Sequence, residues 1–187
     1  PERPTDAEPR LLFVGRLAPN KRQEDLVKLL FFLRRIHPQA RLTLVGDRWE
    51  MGYDRWVAQL AADLNVAGGL ELAGKVSHEE LLAYYRAADL YVSMSEHEGF
   101  GVPLIESMLL GLPVVAYGST AVPETMGGAG IVFHRKEFEH LAELVAMIHE
   151  DASLRRRIIE KQHARVGHFL EPRVREQFFS YLEQIGL

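Results

Sequence analysis

Short apolar runs rich in β-branched and aromatic residues alternate along this chain with segments of helical periodicity. No other feature constrains the fold as strongly. Leu11-Leu-Phe-Val14 reads as a strand, followed by a helix from Gln23 to Ile36 that stops before Pro38. Leu26, Leu29, Leu30 and Leu33 lie on one face of that helix, with Phe31 and Phe32 widening the apolar stripe. Strands follow at Arg41 to Val45, Leu70 to Ala73, Asp89 to Met94, Pro113 to Tyr117 and Gly130 to Phe133. Helices are predicted at Tyr53 to Leu64, at His78 to Ala87 and at 103–110, with two or three more from about residue 138 onward. Ser77, with Glu80 three residues on, is a capping box for the helix at His78. This rhythm predicts an α/β fold, a parallel sheet covered by helices on both faces. Such sheets bind ligands beyond the carboxyl ends of their strands, where Arg16, Gly46, Lys75, Ser95 and Ser119 would lie.

Composition excludes more than it assigns. The 187 residues suffice for a substantial core, and the absence of cysteine rules out disulfides, thiolate metal sites and a thiol nucleophile. A formal net charge of −4 argues against nucleic acid as a partner. No apolar run approaches the roughly 20 residues of a membrane span, and no secretory signal is visible. The scattered Asp47, Asp54 and Asp89 lack ligand-like pairing, so no metal is expected. His134, His140, His149, His163 and His168 have no ligand spacing and read as surface, and Arg155-Arg-Arg157 reads as a solvated helix face. Phe169, Phe178, Phe179 and Tyr181 are expected to pack the terminal helices. The polar, proline-bearing residues 1–10 read as a linker from a missing upstream domain, leaving 11–187 as one domain.

The stretch Glu98 to Glu106, EGFGVPLIE, carries the chemistry. Gly99 and Gly101 flank Phe100 in a turn, and Pro103 suits the first position of a helix. Gly111 and Pro113 close that helix. Strand, glycine loop and helix N-terminus together present backbone N–H groups to an anion such as phosphate. Glu106, three residues past Pro103, stays near the rim, and its carboxylate can accept two hydrogen bonds from a vicinal diol. It could equally do no more than complement the helix dipole, worth less than ~1 kcal/mol. Lys21 and Arg22 stand near a helix N-terminus, where cations are disfavoured. Neutralisation by Glu24 and Asp25 in a solvated turn explains them alone. Beside a phosphate-shaped loop on the same edge, Arg16 and Lys21 become an anion clamp.

The string EGFGVPLIESMLLGLPVVA resembles the signature of retaining glycosyltransferases of the GT-B fold, close to glycosyltransferase family 4. Glu98 and Glu106, Gly111-Leu-Pro-Val-Val115 and Pro123-Glu124 match in order and spacing. Val14-Gly-Arg-Leu17 with Asn20-Lys21 resembles the family's first loop, and Leu44-Val-Gly-Asp47 its second strand end. The resemblance runs from about residue 11 to 134. It implies a Rossmann-like sheet forming the C-terminal, donor-binding half of a two-domain hexosyltransferase, followed by C-terminal helices.

By that resemblance Glu106 binds the ribose, and Arg16 and Lys21 the diphosphate. Gly15, Gly99, Phe100, Gly101 and Val102 supply backbone contacts to phosphate and sugar. Glu98 meets the sugar hydroxyls, and Lys75 and Val76 the base. The catalytic set is then Glu98, Arg16 and Lys21. The donor is a UDP-, GDP- or ADP-sugar, with no cofactor, and the acceptor half is the missing N-terminal domain. The implied location is cytoplasmic, with peripheral attachment to the inner face of a membrane through that missing domain.

The loop Gly118-Ser-Thr-Ala-Val122 departs from the pattern, since many members carry a glycine pair before Pro-Glu. Three other readings stay open: a regulatory sugar-nucleotide-binding module without turnover, a sugar-nucleotide epimerase of the same fold, and an NAD-dependent enzyme. The last lacks the G-x-G-x-x-G that should follow the first strand.

Overall fold

The computed structural model describes residues 8–48 and 52–169. Six parallel strands form one sheet: β1 (Arg10–Val14), β2 (Arg41–Val45), β3 (Leu70–Gly74), β4 (Leu90–Ser93), β5 (Val114–Tyr117) and β6 (Ile131–Phe133). Their order is β3-β2-β1-β4-β5-β6. Seven α-helices accompany them: α1 (Gln23–Ile36), α2 (Tyr53–Asp63), α3 (His78–Ala87), α4 (Val102–Leu109), α5 (Val122–Met126), α6 (Phe138–Glu150) and α7 (Ala152–Val166). Right-handed crossovers carry α1 and α2 over one face and α3, α4 and α5 over the other. The chain then returns, α6 packing on α1 and α7 on α4.

Burial explains why the strands read as unbroken apolar runs: every residue of β4 is buried, as are Leu11, Leu12 and Phe13 of β1. Leu26, Leu29, Leu30 and Leu33 of α1 are fully buried, each worth roughly 2 kcal/mol relative to exposure. Phe31 and Phe32 are only half-buried, edge to face with centroids 5.1 Å apart. The capping box is formed as expected, Ser77 Oγ accepting from Glu80 N and Glu80 Oε2 from Ser77 N.

Several expectations are corrected. Helix α4 begins at Val102, so Pro103 takes the second position, where a missing N–H still costs nothing. Pro113 and Gly130 lie outside their strands; the Pro113 carbonyl instead accepts from Tyr91 N. Pro123 and Glu124 belong to a one-turn helix, α5, that the sequence pattern does not announce. His149 is buried, because α6 turns that side of its last turn onto α1. Arg155 is half-buried and donates to the His149 carbonyl at 2.7 Å. Phe178, Phe179, Tyr181 and most of the proposed linker lie outside the described residues. Among the described residues no helix is long and apolar enough to cross a membrane.

Candidate functional site

The direction of the strand order reverses between the paired neighbours β1 and β4, so the connections that follow them run to opposite faces. A crevice at the carboxyl edge is the geometric result. Beside it, the ends of β1, β2 and β3 are tied to one another through backbone. Gly15 N donates to the Val45 carbonyl at 2.8 Å, and Gly46 N to the Gly74 carbonyl at 2.9 Å. Gly46 holds φ +148°, and a Cβ on it would strike the Gly15 carbonyl, so only glycine lets these loops approach.

Beyond β1 the chain makes a single 3₁₀ turn, Pro19–Lys21, and enters α1 through Arg22. This turn aims Lys21 across the crevice at the loop after β4. Lys21 Nζ lies 2.8 Å from Glu98 Oε2 and donates to the His97 carbonyl at 3.0 Å. Both side chains are mostly buried, at 18% and 15% exposure, which strengthens their attraction over that of a surface pair. Glu24 and Asp25 therefore neutralise Arg22, at 3.1 and 3.4 Å, and Lys21 is neutralised elsewhere. Arg16, Ala18, Asn20, Lys21, His97 and Gly99 line a cleft of about 410 Å³. Gln23, wholly buried, fixes the Arg16 loop by donating to its carbonyl at 2.9 Å.

Glu106 emerges from the middle of α4, and its Oε2 accepts the Tyr85 hydroxyl at 2.8 Å. Its Oε1 takes no hydrogen bond among the described residues. Burial first, then the neighbouring Tyr91 and the bond to Glu106, hold the Tyr85 phenol well above its ordinary pKa. Tyr91, buried in β4 with its hydroxyl toward the Val14 carbonyl, is raised by burial, then by Glu98 and to a smaller extent by Glu106.

Arg16, Lys21, Glu98 and Gly99 are thus brought together, and Gly15 supports them from the strand end. Gly101, at φ +73°, caps α4 and is buried against Leu104. Phe100 and Val102 stay half-exposed, the Phe100 ring edge-on to Phe169 at 5.5 Å. Lys75 and Val76 follow the edge strand β3 and do not line the cleft. Two loop residues support the site: Ser119, already placed at this edge by the sequence, and Thr120, which sequence reasoning missed. Thr120, at φ +41°, accepts from Glu98 N at 2.9 Å and donates to the Glu98 carbonyl at 2.7 Å. Ser119 Oγ donates to the Ser95 carbonyl at 2.6 Å. The left-handed backbone at Thr120 sits in the loop where a glycine pair was expected, and that departure was the available signal. Tyr85 gave none.

A parallel α/β sheet with a Lys–Glu pair over a glycine turn at its switch point belongs to the Rossmann-like class of fold. Comparison with known proteins makes this specific. The family described as Glycosyl transferases group 1 matches residues 2–165, and this chain belongs to it. Glycogen synthase of Mycobacterium tuberculosis is 30% identical over 157 residues, covering 83% of this chain and 37% of its own. D-inositol 3-phosphate glycosyltransferase of Thermobispora bispora is 35% identical over 154 residues, covering 76% and 36%. The chain thus spans a little over a third of the curated relatives it matches. Among solved structures, Anabaena HepE in complex with UDP and glucose superimposes with a TM-score of 0.82 at 25% identity, covering 96% of this chain and 49% of that one. The fold is the Rossmann-like half of a GT-B glycosyltransferase.

Proposed function

We propose that this chain is the donor-binding half of a retaining hexosyltransferase that uses a nucleoside diphosphate sugar. The observation that carries the reading is the convergence of Arg16, Lys21 and Glu98 with the Gly99 turn on one cleft. The anionic diphosphate sits against Arg16, Lys21 and the backbone N–H groups of Gly15 and the Gly99–Val102 turn. Glu106 takes the ribose diol through the oxygen that Tyr85 leaves open, and Lys75 and Val76 flank the base. As the glycosidic bond breaks, charge gathers on the leaving diphosphate, and the fixed cations lower its energy in a cleft that reorganises little. Glu98 serves twice. It holds Lys21 in reach before the donor arrives, and it accepts the sugar's hydroxyls once the phosphate takes over Lys21. The two cations supply the charge a metal would otherwise provide, so binding is expected to survive EDTA. The acceptor half is the part of the protein that corresponds to the remaining length of the longer relatives.

Calorimetric titration with UDP, GDP, ADP and NAD tests this, with Glu106→Gln as the control. Selective binding of one nucleoside diphosphate, weakened by the substitution, supports the reading and names the donor class. Preference for NAD, or no binding by the full-length protein, overturns it. Nucleotide binding without sugar transfer by the full-length protein would favour a regulatory module, and C2 inversion of the bound sugar an epimerase.

A further inference from the structure

Behind the Lys21–Glu98 pair lies a group of charges that the proposed chemistry does not use. Asp25 on α1, its side chain 3% exposed, receives Lys28 Nζ and Lys136 Nζ, each at 2.9 Å. Arg22 Nε lies 3.4 Å from the same carboxylate. Glu96, two residues before Glu98, meets two of these cations again, Lys136 Nζ at 3.1 Å and Arg22 Nε at 3.2 Å. Lys136 also stands over the Tyr117 ring, 4.7 Å from its centroid. Glu24 completes the group at 3.1 Å from Arg22, with Tyr53 donating to its other oxygen at 2.5 Å. Three cations and three carboxylates are balanced here, drawn from α1 and the loops after β1, β4 and β6.

Arg22 marks the arrangement as more than surface charge. It holds φ 55°, ψ 43°, a left-handed backbone that glycine adopts freely and a residue with a Cβ resists. A side chain kept in that place is explained by what it reaches: Glu24, Asp25 and Glu96. The backbone adds a second tie between the same loops, Glu96 N donating to the Asn20 carbonyl at 2.9 Å. Lys21 is the neighbour of Arg22, and Glu98 follows two residues after Glu96. Whatever fixes Arg22 against Glu96 therefore fixes Lys21 against Glu98.

We propose that Glu96, held by Arg22 and Lys136 on the buried Asp25, is a positioning residue that sets the loop His97–Gly101 at the height where Lys21 and Glu98 meet. It touches no reacting atom; it pre-organises the groups that do. The proposal rests on the donor-site reading, and its test separates the two.

Glu96→Gln, Lys136→Met and the double variant are compared by amide nuclear magnetic resonance and by titration with whichever of UDP, GDP or ADP the wild type binds. Glu96 is half-exposed, so its variant should melt near the wild-type temperature. Each single variant should displace the Gly99 and Gly101 amide signals and weaken nucleotide binding at least threefold. The double variant should be no worse than the weaker single, as expected for groups in one network. Glycine signals at wild-type positions overturn the proposal, as do displaced signals with unaltered affinity. Should the full-length wild type bind no nucleotide, the donor-site reading fails, and the glycine signals alone decide whether the clamp sets the loop.

Discussion

Glu106 shows how one contact changes the meaning of a substitution. Its Oε2 is the partner of the Tyr85 hydroxyl, and Tyr85 is 1% exposed. Glu106→Ala therefore strands a buried hydroxyl, at a cost of about 1–3 kcal/mol, besides removing the proposed ribose contact. A helix carboxylate that only complemented the dipole would leave stability almost unchanged. Glu106→Gln keeps an acceptor for Tyr85 and removes the charge. We expect it to melt close to wild type and to bind nucleoside diphosphate about tenfold more weakly, equivalent to about 1.4 kcal/mol. Thermal melts beside calorimetric titrations check both halves. An alanine variant as stable as wild type would show that Tyr85 finds another partner.

At the scale of elements, two buried polar groups join segments far apart in sequence. Gln162 of α7 is fully buried, accepting from Val114 N at 2.8 Å and donating to the Leu112 carbonyl at 2.7 Å. It satisfies the entry to β5, where Pro113 interrupts regular pairing. Gln162→Leu leaves two backbone groups unpaired, and we expect a loss of about 2–4 kcal/mol in chemical denaturation with no new strand order. Asp25 is the second case. Burial pushes its carboxyl upward, but the hydrogen bonds from Lys28 and Lys136 outweigh it and hold the carboxyl below its usual value of 3.8. A depressed carboxylate stabilises the native state fully above its unfolded pKa and loses that contribution as pH falls through the lower folded value. Stability should therefore decline on the acid side of about pH 4, and Asp25→Asn should flatten that part of the profile. The same variant should cost about 3 kcal/mol at neutral pH, because the cations around it lose their buried partner. Urea midpoints between pH 3 and pH 7 measure both effects.

For the whole molecule, the proposed function makes the cleft one wall of a site. Arg16, His97 and Gly99 face outward from the carboxyl edge, and nothing among the described residues closes over them. The relatives are nearly three times as long as the matched segment. We expect the 187-residue chain to bind the diphosphate, to do so equally in EDTA, and to transfer no sugar. A radiolabelled-donor assay with the chain alone and with the full-length protein checks this. Glycosylated acceptor from the chain alone would show that the second wall is dispensable.

How much was legible differs with the range of the interaction. Helix α1 and strand β2 fall at the bounds their periodicity predicts, and the Ser77 capping box forms as spelled, because burial stripes and caps are written within a few neighbouring residues. The membership of Arg16, Lys21, Glu98 and Gly99 in one edge also follows from sequence, since a parallel sheet sends every such loop to the same side. Pairings between loops were beyond reach. Lys21 chooses Glu98 over Glu24, Tyr85 reaches Glu106, Thr120 brackets Glu98, and His149 turns inward. Each depends on packing between distant elements; Lys21 meets Glu98 because strand order puts β4 beside β1 although 75 residues lie between the two strands. The amino-acid pattern by itself determined the class of fold, the edge that carries the site and the chemical types gathered there, because those rest on local periodicity and chain direction. Only the tertiary structure decided which charge meets which, because distances between loops are set by packing across the sheet and have no period in the sequence.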